Sequence, residues 1–408
     1  MKYLVVLEDG AADYKIPALG GKTPYDTADK PATDALAARS FCGMVENVPA
    51  HMVPESDTAN LAVMSYDPAV FSKGRSPLEA VSMGLEMSPA QTAFRCNVVT
   101  LGNADGTISY DIPYDEMTML DHSADEITTA EAAQLIRAVD EKLGDKYRKF
   151  YPGISYRHCL LWENAPDFKD FTRPHDIIGK KVGGLLPPEP FLSLYRESRE
   201  ILKNHPVNLE RQSRGLRPAN SIWLWSPGKK PALPSFTDKW GLRASVISAV
   251  DLIKGIGLCA GMTSVDVEGA TGNIHTNFTG KADAAIAEFK RGQQFVYIHV
   301  EAPDECGHRA ELENKVKSIE YIDKKIVKPL YDYLVSTGED FKIMILPDHP
   351  TPISLRTHSH EAVPFMIYSS ADASGTKGVS KFCEDTCAAA GNYYDHGYDL
   401  LSRMIKNL

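Results

Sequence analysis

The sequence predicts an α/β protein: a doubly wound, mostly parallel sheet with an α+β unit inserted into it. Two observations carry that prediction. Continuous apolar runs at residues 2–7, 294–300 and 341–346 read as strands covered on both faces, as in a parallel sheet. Strand and helix patterns alternate at both ends of the chain, and residues 91–235 between them have a different character. A length of 408 residues also exceeds one ordinary compact core. The expected division is therefore a discontinuous unit, residues 1–90 with 236–408, and an insert at 91–235.

Taken in order, the first strand at 2–7 ends in Glu8-Asp9-Gly10, and Gly20-Gly21-Lys22-Thr23-Pro24 is a loop. Residues 33–40 form a short helix. Pro54, then Ser56 and Asp57, then an apolar-periodic run mark a helix start. The plain reading of Ser56 is a cap, and of Asp57 first-turn dipole complementarity; the same geometry also suits a stabilised alkoxide or phosphate. Another short helix opens at 74–80. Residues 94–101 and 107–110 pattern as a hairpin turning at Asp105-Gly106. Helix follows at 129–143, strand at 156–162, helix at 191–204 and strand at 220–225, with Pro-rich loops between, consistent with an antiparallel α+β unit. Residues 227–234 read as a linker. Alternation then returns: helix 245–256, strand 263–268, helix 281–290, strand 294–300, long helix 311–335, strand 341–346 and strand 363–368.

Bulk composition excludes several classes. With 43% hydrophobic and 24% charged residues the chain is not disordered. The net charge of −10 and the lack of a basic cluster argue against a nucleic-acid partner. Residues 1–9 are too short and too soon acidic for a signal peptide, and no apolar run approaches the ~20 residues of a membrane span. Seven scattered cysteines complete no zinc site and fit reduced thiols. A cytoplasmic protein without a membrane partner is expected; the oligomeric state is not legible.

The chemistry gathers at strand ends. One strand ends at Asp9. A second runs to Val300-Glu301-Ala302-Pro303-Asp304, with His308 four residues further on, so a helix there would put both on one face. A third ends at Pro347-Asp348-His349, shortly before His358 and His360. Ligands of open α/β sheets sit beyond the carboxyl ends of the strands, so these residues converge. Converging carboxylates need a cation, and mixed Asp/His ligation suits Mn²⁺ or Zn²⁺, whereas Mg²⁺ alone prefers more oxygen. Two such metals with a hydroxyl between them clamp an in-line phosphoryl transfer, which would make Ser56 a nucleophile.

Several motifs make the pattern specific: Glu8-Asp9-Gly10, Gly21-Lys22-Thr23-Pro24, Glu55-Ser56-Asp57-Thr58-Ala59-Asn60, Gly74-Arg75-Ser76-Pro77, Tyr156-Arg157-His158, Pro218-Ala219-Asn220-Ser221-Ile222-Trp223, His299 to His308 and Pro347-Asp348-His349. Over nearly its whole length the chain resembles the archaeal-type cofactor-independent phosphoglycerate mutases of the alkaline phosphatase superfamily. The resemblance implies an alkaline-phosphatase-like fold and two divalent metals: Mn²⁺ first, with Zn²⁺, Co²⁺ or Mg²⁺ as alternatives, and no 2,3-bisphosphoglycerate. It assigns Asp9, Ser56, Asp348 and His349 to one metal, and Asp304, His308 and His358 to the other. His358 is preferred to His360 because it precedes Pro364 by the six residues usual in the family. It implies a phosphoserine relay on a small phosphorylated hydroxy acid, with Lys281 touching the phosphate. Arg157, His158, Arg95, Asp176 and Arg214 are the candidate substrate contacts, with Arg217 a further cation. Glu55 stands where the family usually has Gly, which loosens the substrate assignment. The alternatives are a phosphotransferase acting on another alcohol, such as a homoserine kinase, a metal-dependent phosphatase, or a metal-stabilised binding protein.

Overall fold

The computed structural model describes residues 1–372 and 375–406. Its strands are β1 (Lys2–Glu8), β2 (Ser40–Val45), β3 (Gln91–Gly102), β4 (Thr118–Asp121), β5 (Arg148–Tyr151), β6 (Arg157–Glu163) and β7 (Ser221–Lys229). After these come β8 (Ala244–Ile247), β9 (Thr263–Val265), β10 (Phe295–Val300), β11 (Phe341–Leu346), β12 (Val363–Ser369) and β13 (Tyr393–Tyr394). Two compact units emerge, one of Met1–Ser72 with Ala232–Leu408 and one of Lys73–Pro231.

The discontinuous unit holds an eight-stranded sheet in the order β13-β2-β12-β11-β1-β10-β8-β9. β1 lies at its centre, parallel to β10 on one side and to β11 on the other. Leu4, Val5, Val6 and Leu7 are completely buried, as are the apolar residues of β10. Each such side chain contributes about 1.5–3 kcal/mol by leaving water, which is why these runs cannot lie at an edge. β12 runs antiparallel to β11 and to β2. Register fixes what matters for function: Glu8 pairs with Val300, and Leu7 with Leu346, so three chains leave the sheet side by side.

The contiguous unit is antiparallel throughout. β3 is flanked by β6 and β7, its end pairs with β4, and β5 completes the sheet on β6. The helices Thr129–Leu143 and Phe191–Leu202 cover it with Leu135, Ile136, Val139, Leu194 and Tyr195. Thr128 and Glu131 form a reciprocal capping box at the start of the first.

Several elements differ from the sequence reading. Residues 245–256 were expected as one helix; Ala244–Ile247 is instead β8, and the helix is Asp251–Cys259. Parallel pairing with β10 overrides helical periodicity there, and buried Ser245 donates to Glu288 Oε2 at 2.6 Å. β2 begins at Ser40, where a helix was expected to end; that helix is Pro31–Ala37. The turn at Asp105-Gly106 forms, with Asn103 N donating to Thr107 O at 2.8 Å, but residues 107–110 make no strand. The end of β3 that they would face is already taken: Thr100, Leu101 and Gly102 pair with β4, and the Asn220 side chain holds both Leu101 N and Leu101 O. β7 extends through Pro227 to Lys229, into the expected linker. The long helix near 311–335 is broken by a π segment at Asp323–Val327, where the Asp323 carboxylate accepts from Thr33 N at 2.6 Å.

Candidate metal centre

Asp9 leaves β1, and Asp348 and His349 leave β11. Asp304 and His308 lie on the Ala302–His308 helix that follows β10, with Pro303 in its first turn. That helix sets the two side chains on one face, with His308 Nε2 3.2 Å from Asp304 Oδ2. His358 completes the group, its Nε2 3.4 Å from Asp304 Oδ1, while His360 is exposed and lies outside it. A second cluster joins Asp9, Asp304 and His349, and a third Asp9, His299 and Asp348.

The protonation pattern of these groups tests whether a metal fits. His308 Nδ1 lies 3.0 Å from Arg356 O, and His358 Nδ1 lies 2.7 Å from Pro54 O. Carbonyls only accept, so both Nδ1 atoms carry the proton of the neutral ring. Both Nε2 lone pairs then face each other at 2.9 Å, beside the Asp304 carboxylate. Three lone-pair donors aimed at one point fit a divalent cation. The neighbouring cluster agrees: Asp9 Oδ1 is buried without a hydrogen-bond partner among the described residues.

Electrostatics push the same way. Burial raises the Asp9 carboxyl well above its ordinary value, and Asp348 and Asp304 raise it further. When no cation is bound, protons on the two Nε2 atoms take its place: burial alone would raise Asp304, but hydrogen bonds from the His308 and His358 rings then hold it well below the usual carboxylate range. The Asp304 bond lifts His308 to about 9, against the pull of burial. Positive charge is favoured where the three lone pairs meet.

Ser56 is the first residue of the Ser56–Val63 helix, and Glu55 takes the cap position, so the cap expectation for Ser56 does not hold. Its Oγ lies 3.3 Å from His349 Nε2. Asp348 is held by Gly10 N at 3.1 Å and by Asn60 Nδ2 at 2.9 Å, and Tyr297 donates to Asn60 Oδ1 at 2.6 Å. Lys281 is fully buried, and its ammonium donates to His299 O at 2.7 Å. Burial lowers it to about 8. His299 was not among the expected ligands, yet its Nε2 lies 2.9 Å from Asp9 Oδ2. The available signal was a polar ring inside a wholly apolar strand, which must find a polar partner. Thr351, Asn60 and Tyr297 carried no such signal.

The five expected substrate contacts all belong to the contiguous unit. Arg95 pairs with Glu79 and stacks over Trp225 at 4.5 Å. Trp225 meets His175 at 5.4 Å, next to the exposed Asp176. His175 faces His122, His122 faces Tyr156, and Arg157 lies over Tyr156. This chain of rings gathers Arg95, Arg157 and Asp176; His122 and His175 were not anticipated. The other two residues stand apart from it. Arg214 is held by Glu131, and His158 is buried, accepts from Gly153 N at 3.0 Å and is pushed down to about 3 by desolvation.

The model of the family described as 2,3-bisphosphoglycerate-independent phosphoglycerate mutase matches residues 37–208. A protein of Geobacter sulfurreducens described as a probable member is 43% identical, covering 99% of this chain and 100% of its own length. The enzyme of that name from Methanosarcina acetivorans is 42% identical, with both chains covered completely. The fold is shared with the solved structure of a cofactor-independent phosphoglycerate mutase from Thermoplasma acidophilum, at a TM-score of 0.68 and 24% identity over the full length of both chains. The chain belongs to the 2,3-bisphosphoglycerate-independent phosphoglycerate mutase family. Among the described residues no helix is long and apolar enough to cross a membrane.

Proposed function

We propose that the chain interconverts 3-phosphoglycerate and 2-phosphoglycerate through a phosphoserine on Ser56, without 2,3-bisphosphoglycerate. Family membership supports the reaction. The observation that carries the mechanism is the Ser56 hydroxyl 3.3 Å from His349 Nε2, beside the Asp/His clusters. One group would be held by Asp9, Asp348, His349 and Ser56, the other by Asp304, His308 and His358. Mn²⁺ suits this mixed set best, and the pair supplies charge neutralisation for the phosphoryl oxygens and the serine alkoxide.

Ser56 Oγ attacks phosphorus as the bond to the substrate oxygen breaks, and that oxygen takes up a proton. The glyceric acid shifts in the site, and its adjacent hydroxyl attacks the phosphoserine, losing its proton and regenerating Ser56. Water must be kept out between the two transfers, or the phosphoserine would hydrolyse. Lys281, buried and lowered to about 8, keeps its charge near the strand end that carries the ligands. Arg95 and Arg157, on the ring chain of the contiguous unit, suit the substrate carboxylate.

Mn²⁺-loaded protein given 3-phosphoglycerate should form 2-phosphoglycerate in a coupled assay. Ser56→Ala should abolish turnover and keep its Mn²⁺. Release of inorganic phosphate in place of the isomer refutes the mutase, and turnover retained by Ser56→Ala refutes the phosphoserine.

A further inference from the structure

Between the two groups of candidate ligands stands one hydroxyl that neither holds. Thr351 is fully buried, two residues beyond His349. Its Oγ1 hydrogen-bonds Asp304 Oδ1 and lies 3.4 Å from His349 Nδ1. A hydroxyl has one proton to give. An ionised carboxylate can only accept, so that proton goes to Asp304. Towards His349 the oxygen is left to accept, which requires the proton of the neutral ring on Nδ1. His349 Nε2 is then a lone pair. It lies 3.3 Å from Ser56 Oγ, 3.4 Å from Asp348 Oδ2 and 3.7 Å from Asp9 Oδ1.

Thr351 is itself fixed from several sides. Its N–H donates to Ala12 O at 3.3 Å, and its carbonyl accepts from Lys315 Nζ at 2.8 Å. Two glycines give it room: a Cβ on Gly10 would lie 2.5 Å from Oγ1, and one on Gly307 would lie 2.4 Å from the carbonyl oxygen. A threonine held by its backbone, with space cleared for its side chain, has little freedom to turn its hydroxyl elsewhere.

We propose that Thr351 is a positioning residue shared by the two metal positions: its single hydroxyl orients Asp304 for one and fixes the ring tautomer of His349 for the other. The inference rests on the two-metal reading above. It predicts that loss of one hydroxyl, which itself ligates nothing, weakens both positions together.

The test is Mn²⁺ titration of metal-free protein, followed by calorimetry and by the electron paramagnetic resonance of free Mn²⁺. Wild type should take up two equivalents. Thr351→Val, which keeps the shape, should weaken both by about 10- to 100-fold, the usual effect of removing an outer partner. Thr351→Ser, which keeps the hydroxyl, should recover most of that loss. His358→Ala should weaken one position far more than the other. Unchanged Thr351→Val affinity, or weakening at one position alone, overturns the inference and leaves the two-metal reading standing. Wild type that takes up no Mn²⁺ overturns both. A measurement that needs no variant stands beside these. Nitrogen-15 spectra of metal-free wild type should show His349 protonated at Nδ1, and the Nε2-protonated tautomer would overturn the inference.

Discussion

Lys315 and Asp13 form a fully buried ion pair, Nζ to Oδ2 2.7 Å, with both side chains almost completely inaccessible. Lys315→Met keeps the methylenes and removes the charge. Burial lowers the Lys315 ammonium and Asp13 opposes that, so the pair stands on mutual compensation. Removing one partner of a buried pair costs about 3–5 kcal/mol, because the other charge is left alone. Here Asp13 keeps two amide donors, Tyr14 N at 2.7 Å and Ile353 N at 3.0 Å, which favours the lower part of that range. Ala12 O and Thr351 O each lose a donor, which works against that relief. The expected loss is therefore about 3–4 kcal/mol. Hydrogen exchange of the β1 and β11 amides reads it directly, with EDTA present so that metal linkage does not contribute. Exchange should speed up by a factor on the order of 10² or more. Asp13→Asn added to Lys315→Met should recover about 1–2 kcal/mol, since the orphaned charge is gone. Exchange within about threefold of wild type, or a double variant no more stable than Lys315→Met, would refute the reasoning.

Two further outcomes follow from other sites. Gly307→Ala places a Cβ 2.4 Å from the Thr351 carbonyl that Lys315 holds. It should cost about 1–3 kcal/mol and weaken Mn²⁺ uptake, as read by thermal unfolding with and without the metal. His158 is lowered to about 3 from its ordinary 6.5 by desolvation, so the unfolded chain takes up its proton first as pH falls. Its stabilising share is whole above pH ~6.5 and shrinks by about 1.4 kcal/mol per pH unit below that, until the folded ring titrates near 3. Urea unfolding followed by Trp162, Trp223 and Trp225 should therefore lose about 2 kcal/mol more in wild type than in His158→Gln between pH 6.5 and 5; equal losses would exclude it.

Much of this was legible because strong signals coincide. β1, β10 and β11 are continuous apolar runs with nowhere to go but the centre of a sheet. The acids and histidines at their ends inherit their positions from that. β2 and β8 were not legible, because short apolar stretches beside helices carry no period of their own; their partners decide. The 107–110 strand was misread because a good turn signal says nothing about whether an edge is available; β4 and the Asn220 side chain occupy it. Within the site, sequence spacing finds residues that end strands. It does not find Thr351, whose part depends on which way one hydroxyl turns, or His299, whose partner lies 290 residues away.

The place of β1 has a consequence for biosynthesis. It leaves the ribosome before every other strand of its sheet, yet both its neighbours, beginning at Phe295 and Phe341, come from the last third of the chain. Lys73–Pro231, contiguous and with its own core, can fold as it emerges. An aggregation-prone apolar segment therefore waits unpaired while some 290 residues are made. Chaperone demand should concentrate on this unpaired nascent strand, and a circular permutant that starts at the insert would relieve it.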